Sequence, residues 1–225
     1  MKTSFDIKWD NVYSEGNSLN EFPYTDLVSF FSNNFDKNQS KLKILEVGCG
    51  AGNNLEFLAK KGHEVYGLDA SKNVINYADN RFRNKNLRGT FTVGEFTNLP
   101  YDNNFFDLII NRAAICHTDL ESANIALKEC HRVLKSSGIL YSTFFSNLNS
   151  FKANKINFGY FDSFEEGFRN IGNLKFYNIF ELTNLFSKNN FKVSTLYLIE
   201  KKDMISTPIK IHSEWILHSS KVYSS

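Results

Sequence analysis

The chain of 225 residues has little proline (3) and methionine (2), and its 3 cysteines are far apart. Cys49, Cys116 and Cys130 form no CxxC pair and no ligand-like spacing, which disfavours a disulfide scaffold or a structural zinc. No apolar run approaches the ~18 residues that span a bilayer. The opening MKTSFDIKWD has no apolar segment of a secretory signal. Charge of one sign is also missing: 26 Lys+Arg against 24 Asp+Glu leave a formal +2. Such a balance provides no strong field for nucleic acid or an anionic membrane. No repeat and no Pro/Gly/Ser linker divides the chain. These absences predict a soluble, reduced, cytoplasmic protein of one domain, monomeric or homodimeric, without a metal, a nucleic-acid partner or a membrane.

What is present is an alternation of short apolar runs and helical periods. Lys43 to Val47, His63 to Leu68, Thr90 to Val93, Phe105 to Asn111 and Ile139 to Phe144 read as strands. Between them, 54–61, 72–81 and 121–134 read as helices, with Ser71 a cap for the second and Asp119 a start for the third. A helix at 180–188 and strands at 191–199 and 209–218 follow. Strands alternating with helices imply βαβ units, so the expected fold is α/β: a Rossmann-like, seven-stranded, mostly parallel sheet with helices on both faces. The last two strands lack a helical crossover, so the last strand is expected to run antiparallel. Phenylalanine is abundant, with 22 residues, eleven of them between Phe144 and Phe191.

The most informative stretch is Glu46-Val-Gly-Cys-Gly-Ala-Gly52, between the first strand and the first helix. Glycines there let the backbone turn tightly and let a ligand approach closely. A dinucleotide fingerprint needs glycine at 53, where Asn53 stands, and a phosphate-cradling Walker loop needs Gly-Lys-Ser/Thr, which is absent. Ligands of open α/β sheets lie at the carboxyl ends of strands, where Asp69 can reach a ribose with both oxygens. A nucleoside ligand without a pyrophosphate remains.

LKILEVGCGAGNN, EVYGLDAS, VGEFTNLPYDNNFFDLIINRAAICH and ALKECHRVLKSSGILYSTFF, in that order, resemble the class I S-adenosylmethionine-dependent methyltransferases, small-molecule (type-11-like) branch. The match is good over 42–145 and looser over 178–219. The resemblance implies S-adenosylmethionine as cofactor, leaving as S-adenosylhomocysteine. It implies that Gly48, Cys49, Gly50 and Asn53 border the methionine and sugar part. Glu46 would fix the methionine amino group, Asp69 the ribose hydroxyls, with Ala70 and Ser71 beside the adenine. Glu95 would accept from the adenine amine beside the Phe96 amide, although the family usually has Asp at this place. Asn111 and Arg112 would wall the methionine part. The (D/N)PP(Y/F) motif of base-modifying relatives is absent there, which argues against DNA N-methylation.

By the same resemblance the chain divides into an N-terminal cap (1–40), a cofactor-binding core (41–146), a substrate-lid insertion (147–177) and a C-terminal helix and strand pair (178–225). His117 is the candidate base for an acceptor hydroxyl, with anchoring of its own loop as the equal alternative. Tyr13 could reach the methionine carboxylate, whereas Trp9 reads as an aromatic that docks the first helix. His212 and Glu214, on one face of the last strand, read as groups that satisfy the surface, and His131 as solvated or at the core edge. Phe158, Tyr160, Phe161 and Phe164 fall where relatives build the lid, with most of the phenylalanines expected to core an inserted helix. The expected activity is methyl transfer to an oxygen, less readily a nitrogen, of a small polar metabolite, a sugar or surface-glycan precursor first. RNA or protein N-methylation, or a cofactor-binding subunit without catalysis, are the rival readings.

Overall fold

The computed structural model describes residues 7–35, 40–150, 154–157, 160–162 and 174–222. Two helices, α1 (Lys8–Ser14) and α2 (Thr25–Asn34), precede β1 (Lys43–Val47). Then come α3 (Asn53–Lys60), β2 (Glu64–Asp69), α4 (Lys72–Asn84), β3 (Thr90–Val93) and β4 (Phe106–Arg112). A 3-10 turn at Ile115–His117 leads to α5 (Leu120–Val133) and β5 (Leu134–Phe145). The chain continues through β6 (Asn154–Asn157), β7 (Tyr160–Asp162), β8 (Leu174–Lys175), α6 (Ile179–Lys188), β9 (Phe191–Asp203) and β10 (Lys210–Lys221).

Seven strands form one sheet in the order β3-β2-β1-β4-β5-β10-β9. β1 to β5 pair in parallel, while β10 runs antiparallel to both β5 and β9. The expected mostly parallel sheet with an antiparallel last strand is therefore what the chain builds. Alternate residues of the central strands feed opposite cores, as the two-residue period of a strand requires. Leu45 and Ile109 join α5 and α6 through Ala126, Leu127 and Phe186. Ile44, Leu108 and Ile110 join α2, α3 and α4 through Phe30, Leu55 and Phe82.

Three differences from the sequence reading are instructive. β5 begins at Leu134, so Ser136, Ser137 and Gly138 lie within the strand rather than between helix and strand; the register against β4 shifts there. The described parts of 147–177 include a small antiparallel sheet, β6-β7-β8, and the rest of the segment in which an inserted helix is expected lies outside the described residues. Phe158 and Phe164 lie outside the described residues, and of Tyr160 and Phe161 only the backbone, in β7, is described. Finally, β9 and β10 run four and three residues past the expected ends, as a long arm whose importance emerges at the site.

Candidate functional site

A cavity of ≈ 610 Å³ opens at the carboxyl ends of β1, β2 and β4. Strand order reverses between β1 and β4, and such a switch point leaves a crevice above the sheet. The glycine turn forms its floor. Gly48, Gly50 and Gly52 all have positive φ (66°, 50° and 72°). At Gly48 there is also no room for a side chain, since a Cβ would stand 2.4 Å from that of Ala114. Glycine at 48 thus lets β1 and the end of β4 approach each other.

Glu46 points into this floor and is buried. Its Oε1 accepts from Asn54 Nδ2 at 2.7 Å, but Oε2 is buried with no hydrogen-bond partner. Burial raises the carboxyl to a pKa of about 8, against the pull of the Asn54 hydrogen bond. A buried carboxylate oxygen without a donor is costly, and a ligand ammonium group would relieve it. Asp69, ending β2, accepts from the Gly50 amide at 3.1 Å and the Ser71 amide at 3.0 Å. Burial raises it to about 6, although those amides favour the charged form. A carboxylate has two oxygens that can accept from the two hydroxyls of a vicinal diol.

The other sequence candidates divide. Ala70, Glu95 and Phe96 border the cavity around Asp69, and Cys49, Asn53, Arg112 and His117 border it elsewhere. The Cys49 thiol is raised well above its ordinary value, by burial first and then by Asp69 and Glu46, so it stays neutral. Ser71 and Asn111 are not on the wall. Ser71 caps α4 through the Val74 amide. Asn111 Oδ1 accepts from the Ala114 and Ile115 amides, holding the turn in which Ala113 adopts φ 54°. Asp119 caps α5 through the Ser122 amide at 2.8 Å.

Helix α1 roofs the cavity. Tyr13 and Trp9 stack at 5.7 Å, and Trp9 meets His117 edge-on at 5.0 Å. Docking is done by Asp10, which accepts from the Ser71 hydroxyl and from Asn73. Trp9, which the sequence suggested as a docking aromatic, also stands on the cavity wall.

The far wall is where the sequence reading fails. His212 and Glu214 are not a surface pair: both line the cavity, and the Glu214 side chain is only 12% exposed. Glu214 accepts from His212 Nε2 at 2.8 Å and meets Arg112 Nη2 at 2.9 Å. Arg112 also donates to Thr143 at 2.9 Å and lies 4.0 Å from the centre of the Tyr24 ring. Tyr24, Asp26, Asn54 and Lys201 are among the other lining residues that sequence reasoning missed. Only Asn54 carried a local signal, as the second residue of the helix that follows the glycine turn. Among the described residues, no three His, Cys, Asp or Glu side chains are grouped to hold a metal ion.

The strand order, with a glycine turn after β1, is that of a class I, Rossmann-like methyltransferase fold. Residues 45–142 match the model of a family described as a methyltransferase domain. Similar curated proteins include a phosphoethanolamine N-methyltransferase of Plasmodium falciparum, 32% identical over 102 residues, 45% of this chain and 38% of that one. A ubiquinone biosynthesis O-methyltransferase of Pelagibacter ubique is 31% identical over 106 residues, 47% of this chain and 43% of that one. The chain thus spans less than half the length of these curated relatives. Among solved structures, a SAM-dependent methyltransferase of Methanosarcina mazei superposes with a TM-score of 0.72 at 20% identity, over 90% of this chain and 100% of that one. A Burkholderia thailandensis 1,6-didemethyltoxoflavin-N1-methyltransferase, solved with 1,6-didemethyltoxoflavin and S-adenosylhomocysteine, gives 0.70 at 14% identity, over 96% and 88%.

Proposed function

We propose that the chain is an S-adenosylmethionine-dependent methyltransferase acting on an oxygen of a small polar molecule. The observation that carries this reading is the buried, partnerless Oε2 of Glu46 beneath the glycine turn. When bound, S-adenosylmethionine supplies a methyl group on a positively charged sulfur, displaced in line by a nucleophile. Glu46 would accept from the methionine ammonium, with Asn54 holding the carboxylate in place. Asp69 would take the ribose hydroxyls, and Glu95 the adenine amine beside Phe96. Tyr13 and Trp9 would exclude water from above, and Arg112 would wall the cavity at the end of β4.

His117 stands on the cavity wall beyond the glycine turn, steadied by the edge of Trp9. An acceptor hydroxyl must lose its proton as it attacks, and an imidazole at this place is the group to take it. Holding acceptor and methyl donor in line provides most of the remaining acceleration. The charged far wall suits a polar acceptor, with a sugar or surface-glycan precursor as the first class to try. Both oxygen and nitrogen transfer occur among the named relatives, so the assay must include both.

The test is transfer of a labelled methyl group to a panel of sugars, sugar nucleotides, hydroxy acids, small amines and RNA. Turnover confined to hydroxyl-bearing small molecules is expected. Turnover on RNA or on amines alone would overturn the acceptor assignment.

A further inference from the structure

The β9–β10 arm brings a lysine and a histidine to the far wall of the cavity. Lys201 and His212 are directly opposite in the antiparallel register, so both side chains stand on one face of the sheet. That face is the one that carries Glu214 and Ile216 into the cavity. Next along the strand, Lys202 points the other way and is paired with Glu200 at 3.1 Å. Lys201, in contrast, makes no ion pair or hydrogen bond among the described residues.

The anions of this wall are already engaged. Glu214 is shared between Arg112 and His212. Asp26 accepts from the Tyr141 hydroxyl and lies 3.9 Å from Arg112. Two carboxylates therefore face one guanidinium, one ammonium and one imidazole, and the ammonium is the group left over. Glu214 is held below the ordinary carboxylate range despite its burial, because His212 and Arg112 both favour its charged form. An ionised Glu214 in turn orients the His212 ring beside Lys201.

We propose that Lys201, with His212 positioned by Glu214 and Arg112, forms the subsite that binds an anionic oxygen group of the methyl acceptor, a carboxylate or a phosphate. This rests on the reading of the cavity as a methyltransferase site and narrows its substrate class. The acceptor is then a hydroxylated acid or phosphate ester, held by its anion at the arm with its hydroxyl directed toward His117. Charge-assisted contacts from a lysine give a point attraction that tolerates either anion geometry.

The test is a titration of the protein, saturated with S-adenosylhomocysteine, with inorganic phosphate, with benzoate and with uncharged benzyl alcohol. Binding is followed by the ring NMR signals of His212, assigned with His212→Gln. Phosphate or benzoate should shift those signals saturably, and benzyl alcohol should not. Lys201→Ala should weaken the anion by about tenfold, and Lys201→Arg should restore most of it. Preference for phosphate assigns a phosphate ester, and preference for benzoate a carboxylic acid. Absence of any shift by either anion up to about 50 mM, or wild-type titration of Lys201→Ala, would overturn the proposal. S-adenosylhomocysteine affinity of each sample is measured first. Its failure would strike the cofactor reading alone, since the anion titration can still be run on the unliganded protein.

Discussion

Nη2 of Arg112 lies 2.9 Å from Oε2 of Glu214, joining the end of a central parallel strand to the antiparallel strand beyond its neighbour. Arg112 follows Leu108 and Ile110 on one face of β4, and Glu214 precedes Ile216 on the same face of β10. The pair thus closes in charge a stripe that begins as apolar core. Removing one partner of so buried a pair leaves the other uncompensated. Glu214→Gln should therefore cost about 3 kcal/mol in chemical denaturation, while Arg112→Met with Glu214→Gln together should cost less than the sum.

Glu46 makes a pH prediction. Its folded value of about 8 lies above the ordinary 4.5, so the folded chain holds a proton that the unfolded chain has released. Its stabilising contribution is complete below pH 4.5 and is lost as pH rises through 8. In Glu46→Gln that alkaline loss should flatten in thermal melts between pH 5 and 9. An unchanged slope would mean that another group carries it.

Gly48→Ala should destabilise the protein and abolish cofactor binding together. The left-handed φ of 66° and the 2.4 Å approach to Ala114 both oppose a Cβ. Roughly 1–3 kcal/mol is expected from the backbone alone, read from urea midpoints.

Glu56 gives the opposite pH sign. Although burial works against it, Lys60, Lys85 and Arg81 hold its carboxyl at about 2, below the ordinary 4.5. Arg81 also donates to the carbonyls of Asn20 and Glu21, so the clamp ties the N-terminal segment to α3 and α4. Its stability is present above pH 4.5 and lost as pH falls toward 2. Glu56→Gln should remove much of the acid-induced loss, measured by melts from pH 6 to 2.

How much of this was readable in advance depends on how local the signal is. Ile44 to Val47, Gly48 to Gly52 and Asp69 announce a strand, a turn and the next strand end within a single βα unit, so the cofactor floor could be read directly. A mostly parallel sheet could be read because β1, β2, β4 and β5 carry buried apolar runs between helical periods; the order of the strands could not. Glu214, His212 and Lys201 were unreadable, because charges alternating along a late strand look like a solvated face. They reach the cavity wall, and Glu214 meets Arg112, only because β10 inserts antiparallel between β5 and β9, which is long-range pairing. Asp26 and Tyr24 likewise arrive with α2, through tertiary packing.

His117 separates base from anchor. If it takes the acceptor proton, His117→Ala should lower kcat by about a hundredfold or more while leaving cofactor affinity and Tm near those of the parent. A loop anchor would instead lower Tm and weaken the cofactor, with kcat at saturation nearly intact.

The central claim is that this cavity holds S-adenosylmethionine through Glu46. Calorimetric titration at pH 7, in buffers of different ionisation enthalpy, tests it most directly. One site per chain and release of close to one proton on binding are expected, because the ammonium ionises a carboxyl otherwise protonated up to about 8. In Glu46→Gln that proton release should vanish and affinity fall by about tenfold or more. No heat at millimolar ligand, or equal proton release and affinity in Glu46→Gln, would contradict it.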